Sequence, residues 1–232
     1  MTLYLIEFRF HGYAKRYAKN IIYDVAKKFK VKGVTRKRAV PHMTLFGPFS
    51  TNNEINVIKT ILNVCRKYQI ISFRIKGFNY FDSWANKVIF LDIVPSKELK
   101  ELRWELAKKL RTIVYTLSEF DKKKEFFFHA TIAFKDIDTK FDKIWKYIKN
   151  KEEPNINQKL LRITIVKNGK ILCEYDFIQK KLLNRKEALS KKEWLKTINK
   201  YKQLNFDAKN YLTKEITLFD KIKSFFEIIL KR

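Results

Sequence analysis

Twice along this chain a strand-like run is followed by a helix-like run and then by a second strand that carries His-x-Thr and an aliphatic residue. The first unit reads LYLIEFRF, a helix, then PHMTLF; the second reads KVIFLDIV, a helix, then FHATIAF. From Phe10 to His42 is 32 positions and from Val94 to His129 is 35. An internal duplication is the simplest account of two units so alike in order and spacing.

The periodicities support these elements. In residues 3–10, Tyr4, Ile6, Phe8 and Phe10 fall on one face, as in a half-buried strand. Tyr13, Tyr17, Ile21 and Val25 then recur every four residues with Lys and Arg between them, which predicts an amphipathic helix with a basic outer face. Residues 52–68, 96–115 and about 139–149 read as further helices. ISFRIKGFNYF and KVIFLDIV read as strands joined through Asp82-Ser83, and LLRITIVKNGKILCEYDF as a hairpin turning at Asn168-Gly169. Past residue 184 the strand alternation stops and Lys and helix formers dominate. The reading is therefore a main domain over 1–184 and a basic helical extension over 185–232. In the extension Leu218, Ile222, Phe225 and Ile229 make one stripe, suited to docking on the main domain, to self-association or to a membrane surface.

Composition narrows the partner class. Among 232 residues, 51 Lys+Arg against 24 Asp+Glu give a net charge of +27, a field that attracts polyanions. RNA or an oligonucleotide is the expected partner. An A/T-rich genome would enrich Lys as well, but it should also enrich Glu, which is not abundant here. With only five glycines a Gly-rich phosphate loop is disfavoured as the binding device, and hydrophobic residues at 46% leave ample core material. Cys65 and Cys173 stand apart in no metal-ligand spacing and suit buried free thiols in a reducing compartment. No apolar run approaches the ~18 residues of a membrane span, so a soluble cytoplasmic protein is expected.

The chemistry lies in the two motifs. Residues i and i+2 of a strand share a face, so His42 projects with Thr44 and His129 with Thr131, while Met43, Leu45, Ala130 and Ile132 point to a core. Related halves would let the two strands face each other across a groove. Two imidazoles can then serve as acid and base near neutral pH, and two hydroxyls can hold the non-bridging oxygens of a phosphodiester. Neither a metal nor another cofactor is called for. A lone strand histidine is usually structural; two of only three histidines in matched motifs are much harder to dismiss.

PHMTLFGPF and FHATIAF resemble the paired His-x-Thr signatures of the 2H phosphoesterase superfamily, the group of the 2′-5′ RNA ligases. The resemblance spans about residues 1–183. It implies an α+β, bilobal, pseudo-two-fold fold with two antiparallel sheets lining a central cleft and helices outside. It implies a metal-independent RNA 2′,3′-cyclic phosphodiesterase that leaves a 2′-phosphate, with reversible 2′-5′ joining as a related capacity. By position His42 is the acid for the leaving O3′ and His129 the base for water, although a near-symmetric site also permits the reverse. Thr44 and Thr131 would bind the phosphate. Where some relatives carry an Arg after the second motif, this chain has Phe134-Lys135, so further phosphate contact is expected from Lys135 or from the loop holding Arg36 and Arg38. Alternation puts Phe46 on the face of His42 and Thr44, as a platform for a base, and leaves Phe49 for the core. Other readings are a phosphodiesterase for 2′-5′ oligoadenylate or cyclic-nucleotide signals, a non-catalytic RNA-binding protein, and a membrane-associated protein acting through its last helix.

Overall fold

The computed structural model describes residues 2–36, 38–83 and 86–204. The chain divides into two compact units, Met1–Ala188 and Leu189–Arg232. In the second, residues 191–204 form a helix, and the Ser190 hydroxyl accepts a hydrogen bond from the Glu193 N–H. The apolar stripe through Leu218, Ile222, Phe225 and Ile229 lies outside the described residues.

The first unit is built on two antiparallel sheets. β1 (Tyr4–Arg9) is followed by α1 (Gly12–Phe29), β2 (His42–Phe49) and α2 (Glu54–Cys65). β3 (Ile71–Ser83) and β4 (Asn86–Pro95) pair as a hairpin and lead through α3 (Lys97–Leu110) and the short α4 (Glu119–Lys122) to β5 (His129–Phe134). α5 (Phe141–Lys149), β6 (Asn155–Leu160), β7 (Arg162–Lys167), β8 (Lys170–Asp176) and β9 (Lys181–Asn184) complete it, and α6 (Arg185–Leu189) ends at the unit boundary. The strand orders are β2-β1-β7-β8-β9 and β5-β4-β3-β6. Each His-x-Thr strand is therefore an edge strand, paired with the strand that opens its own unit. α1 lies against β5, and α3 lies against β2 as well as against β3 and β4 of its own sheet. The helix of each unit thus helps to cover the motif strand of the other.

Local chemistry accounts for these elements. Leu99, Leu102, Leu106 and Leu110 of α3 are fully buried, and each such side chain contributes roughly 1.5–3 kcal/mol when removed from water. The Ser96 hydroxyl caps that helix by accepting from the Leu99 N–H. Asn168 and Gly169 adopt φ of 49° and 74°, the positive pair that a two-residue hairpin with the right twist requires. Both cysteines are free and buried.

Several features differ from the sequence reading, among them the short strand β9. α3 stops at Leu110 instead of continuing to 115, because β-branched Thr112, Ile113 and Val114 favour extended backbone, and Tyr115 then exchanges backbone hydrogen bonds with Ser50. β6 was not anticipated, since NINQKL is mostly polar and reads as loop. α4 is short but anchored. The fully buried guanidinium of Arg103 donates to the carbonyls of Phe120 and Lys123 and to Asp121, whose other carboxylate oxygen accepts from the Gly47 N–H at 3.0 Å. This chain of contacts fastens the second lobe to the end of β2.

Candidate active site

The two motifs share one backbone design. In β2, His42 faces Arg9, Met43 faces Phe8 and Thr44 faces Glu7; the register then slips, so that Phe46 faces Ile6 and Leu45 is an extra residue. In β5, His129 faces Asp92, Ala130 faces Leu91 and Thr131 faces Phe90; again the register slips, Ala133 faces Ile89 and Ile132 is extra. A bulge thus sits one residue past the threonine in both strands. Both show the same sequence of half-buried histidine, buried residue, half-buried threonine and two buried apolar residues.

The bulge corrects one expectation. Strict alternation would put Phe46 on the face of His42 and Thr44. The extra residue returns it to the core, where it is fully buried against Phe49, so it offers no surface to a base. Phe49 is in the core as expected and stacks on Tyr4.

The imidazoles are fixed in the same way. His42 Nδ1 lies 2.8 Å from the carbonyl of Val40, and His129 Nδ1 lies 2.9 Å from that of Phe127, in each case two residues back. A carbonyl can only accept, so Nδ1 carries the hydrogen and Nε2 is left for chemistry in both rings. β2 and β5 lie against each other, and the rings are near enough that charge on His42 opposes charge on His129. The two motif strands, and with them the two histidines, are thereby brought together.

Their surroundings differ sharply. Beside His42 stands the buried carboxylate of Glu7, with one oxygen 3.6 Å from His42 Nε2 and the other 2.5 Å from Arg9 Nε. The polar row continues across the sheet through buried Thr164, which faces Glu7 and donates to Glu174 at 2.8 Å. Beside His129 the corresponding place is aromatic. Phe81 packs edge-on to its ring with centroids 5.1 Å apart, and Phe90 lies at 5.0 Å. Burial holds the His129 imidazole below its ordinary value; the Phe127 carbonyl opposes that shift, His42 adds to it and Asp92 opposes it.

The remaining candidates divide between two places. Arg38 joins a cationic cluster on the His42 side: partial desolvation, followed by the charges of Lys19, Arg38 and Arg9, holds the Lys15 ammonium below its usual range. Arg36 and Lys135 are elsewhere. Lys135 is exposed at the opposite end of β5 from His129, roughly 20 Å along the strand at ~3.3 Å per residue, with its ammonium over the Phe134 ring. Arg36 belongs to the loop whose Lys32 and Gly33 N–H groups bind Asp136 beside it. Neither can reach a phosphate held between the imidazoles. Glu7, Arg9, Phe81 and Phe90 were not singled out from sequence, although Glu7 and Arg9 are the residues that alternation leaves on the polar face of β1.

Among the described residues no group of three or more His, Cys, Asp or Glu is arranged to hold a metal ion, and no helix is long and apolar enough to cross a membrane. A family model of the 2′-5′ RNA ligase superfamily matches residues 23–170, which takes in both motifs. The chain belongs to the 2′-5′ RNA ligase superfamily. Membership makes this 2H protein a phosphoesterase acting on phosphodiester bonds. No curated protein matches it by sequence. Among solved structures it is similar to Usb1 of Kluyveromyces marxianus, with 8% identity and a TM-score of 0.44 over 79% of this chain and 97% of that one. It is also similar to a crystal structure of a phosphoesterase, with 9% identity and a TM-score of 0.40 over 79% of this chain and 93% of that one.

Proposed function

We propose that this superfamily member is a metal-independent phosphodiesterase that opens 2′,3′-cyclic phosphates at RNA or nucleotide ends, with His42 as acid and His129 as base. The observation that carries the reading is the pair of rings with Nδ1 fixed and Nε2 free, set in opposite environments. Burial among phenylalanines favours the neutral form of His129, which a base must have. The Glu7 carboxylate supplies a counter-charge to His42 in the protonated form that an acid must have.

In the reaction His129 Nε2 takes a proton from water as the water oxygen attacks phosphorus. The P–O3′ bond breaks and His42 Nε2 gives its proton to O3′, leaving a 2′-phosphate and a free 3′-hydroxyl. The Thr44 and Thr131 hydroxyls hold the non-bridging oxygens where negative charge grows. If a 5′-hydroxyl enters in place of water, the same steps join two strands by a 2′-5′ bond.

The test uses the purified protein with nucleoside 2′,3′-cyclic phosphates and 2′-5′-linked dinucleotides in the presence of a chelator. Turnover should persist, and His42→Ala and His129→Ala should each lower it by roughly 10²–10⁴-fold with folding intact. Loss of activity on chelation, or a 3′-phosphate product, overturns the mechanism. Absence of turnover with retained, salt-sensitive RNA binding would make this a binding protein.

A further inference from the structure

A groove of ≈1010 Å³ runs along the outer face of α3, between that helix and the segment over 124–128 that leads into β5. Its lining alternates aromatic and basic side chains. Trp104 and Phe126 are half-buried, and Phe127 is 74% exposed, unusual for so large an apolar ring. Lys97, Lys100, Trp104, Lys108 and Arg111 fall on one face of α3 by helical spacing. Of the three lining carboxylates, Glu101 stands 4.0 Å from Lys97, Glu105 is held by Lys67 and Tyr68, and Glu125 is exposed beside Lys124 in sequence. Among the described residues Lys100, Lys108, Arg111 and Lys124 make no ion pair with a carboxylate. Lys108 and Arg111 instead stand 5.9 and 5.6 Å from the Trp104 ring.

The groove is joined to the histidine site through one residue. The Phe127 carbonyl accepts from His129 Nδ1, and its ring meets Phe81, which packs on His129. Phe127 therefore borders both the groove and the histidine site.

We infer that this groove holds the single-stranded RNA that flanks the reacting phosphodiester, with bases on Phe127 and Trp104 and phosphates on Lys100, Lys108 and Lys124. Exposed rings interleaved with unpaired cations match a flexible polyanion whose bases are free to stack, and a duplex cannot offer its bases in that way. The inference rests on the phosphodiesterase reading for the meaning of "flanks", but binding can be measured without turnover.

The experiment compares a single-stranded oligoribonucleotide of about ten nucleotides ending in a 2′,3′-cyclic phosphate with the mononucleoside 2′,3′-cyclic phosphate. Fluorescence anisotropy gives affinity and product analysis gives kcat/KM. Lys100→Glu/Lys108→Glu and, separately, Trp104→Ala should each weaken oligonucleotide binding by about fivefold or more. The charge variant should also flatten the salt dependence, and both should leave mononucleotide turnover unchanged. Unchanged oligonucleotide affinity overturns the groove. So does an equal fall on both substrates, which marks a structural defect, and so does a comparable affinity for a duplex or for a polyglutamate peptide. If the unmodified protein turns over neither substrate while the groove variants still lose RNA, the catalytic reading fails and the groove stands.

Discussion

Glu7 Oε2 lies 3.6 Å from His42 Nε2, the nitrogen left free by the bond from Nδ1 to the Val40 carbonyl. The matching position beside the second motif holds Phe90, since Glu7 faces Thr44 as Phe90 faces Thr131. One pair of equivalent neighbours therefore sets a carboxylate by one imidazole and a phenyl ring by the other.

Glu7→Gln removes the charge and keeps the shape. It should lower kcat roughly tenfold, the scale of one opposite charge at this range, with little change in KM. Steady-state kinetics on a nucleoside 2′,3′-cyclic phosphate checks it, and an unaltered kcat would remove Glu7 from the mechanism.

Burial lowers the pKa of His129 from its ordinary 6.5, so as a base it should keep working below that pH. The acid limb of kcat/KM is expected below that pH. Phe81→Ala admits water, restores solvation to the charged form and should move the limb upward, toward 6.5. A limb that stays in place, or moves down, would show that Phe81 does not set the protonation of His129.

Asp121 is the acidic partner of a guanidinium with no exposure at all. Asp121→Asn leaves the Arg103 charge buried without its counter-charge and should destabilise the fold by about 3–5 kcal/mol. Arg103→Met with Asp121→Leu should recover much of that loss, since it removes both charges together. Urea unfolding of the three proteins distinguishes these outcomes.

Gly33 has no room for a side chain, because an added Cβ would stand 1.9 Å from the Phe134 carbonyl oxygen. Gly33→Ala should cost about 1–3 kcal/mol and lift the loop from Asp136. Faster tryptic cleavage after Arg36, with the fold otherwise retained, is the expected sign.

Much of the fold was legible because it rests on period. The leucine row of α3, the alternation of β1 and the Asn168-Gly169 turn each carry one strong local signal, and the structure contains all three. What escaped was set by contacts distant in sequence. β6 is an edge strand with a polar composition, and it exists because β3 offers it a ladder. Phe46 was misread because a bulge breaks alternation. A signal was present, since both motifs run two apolar residues after the threonine, Leu45-Phe46 and Ile132-Ala133, where a regular strand would place a polar one. The pairing of His42 with Glu7 could not be seen without the register of β1 on β2. That register is fixed by the core on the far side of the sheet.

The paired bulges have a consequence for how such a protein can change. Each returns the strand to the interior directly after its threonine, so the outward-facing part of either motif ends there. Ligand preference must then be written on other strands and helices. Those can drift, exchange charge for aromatic surface or acquire a new groove while the four motif side chains stay fixed. Reactivity and selectivity in this fold are separable traits, and a new substrate could be adopted without disturbing the histidines.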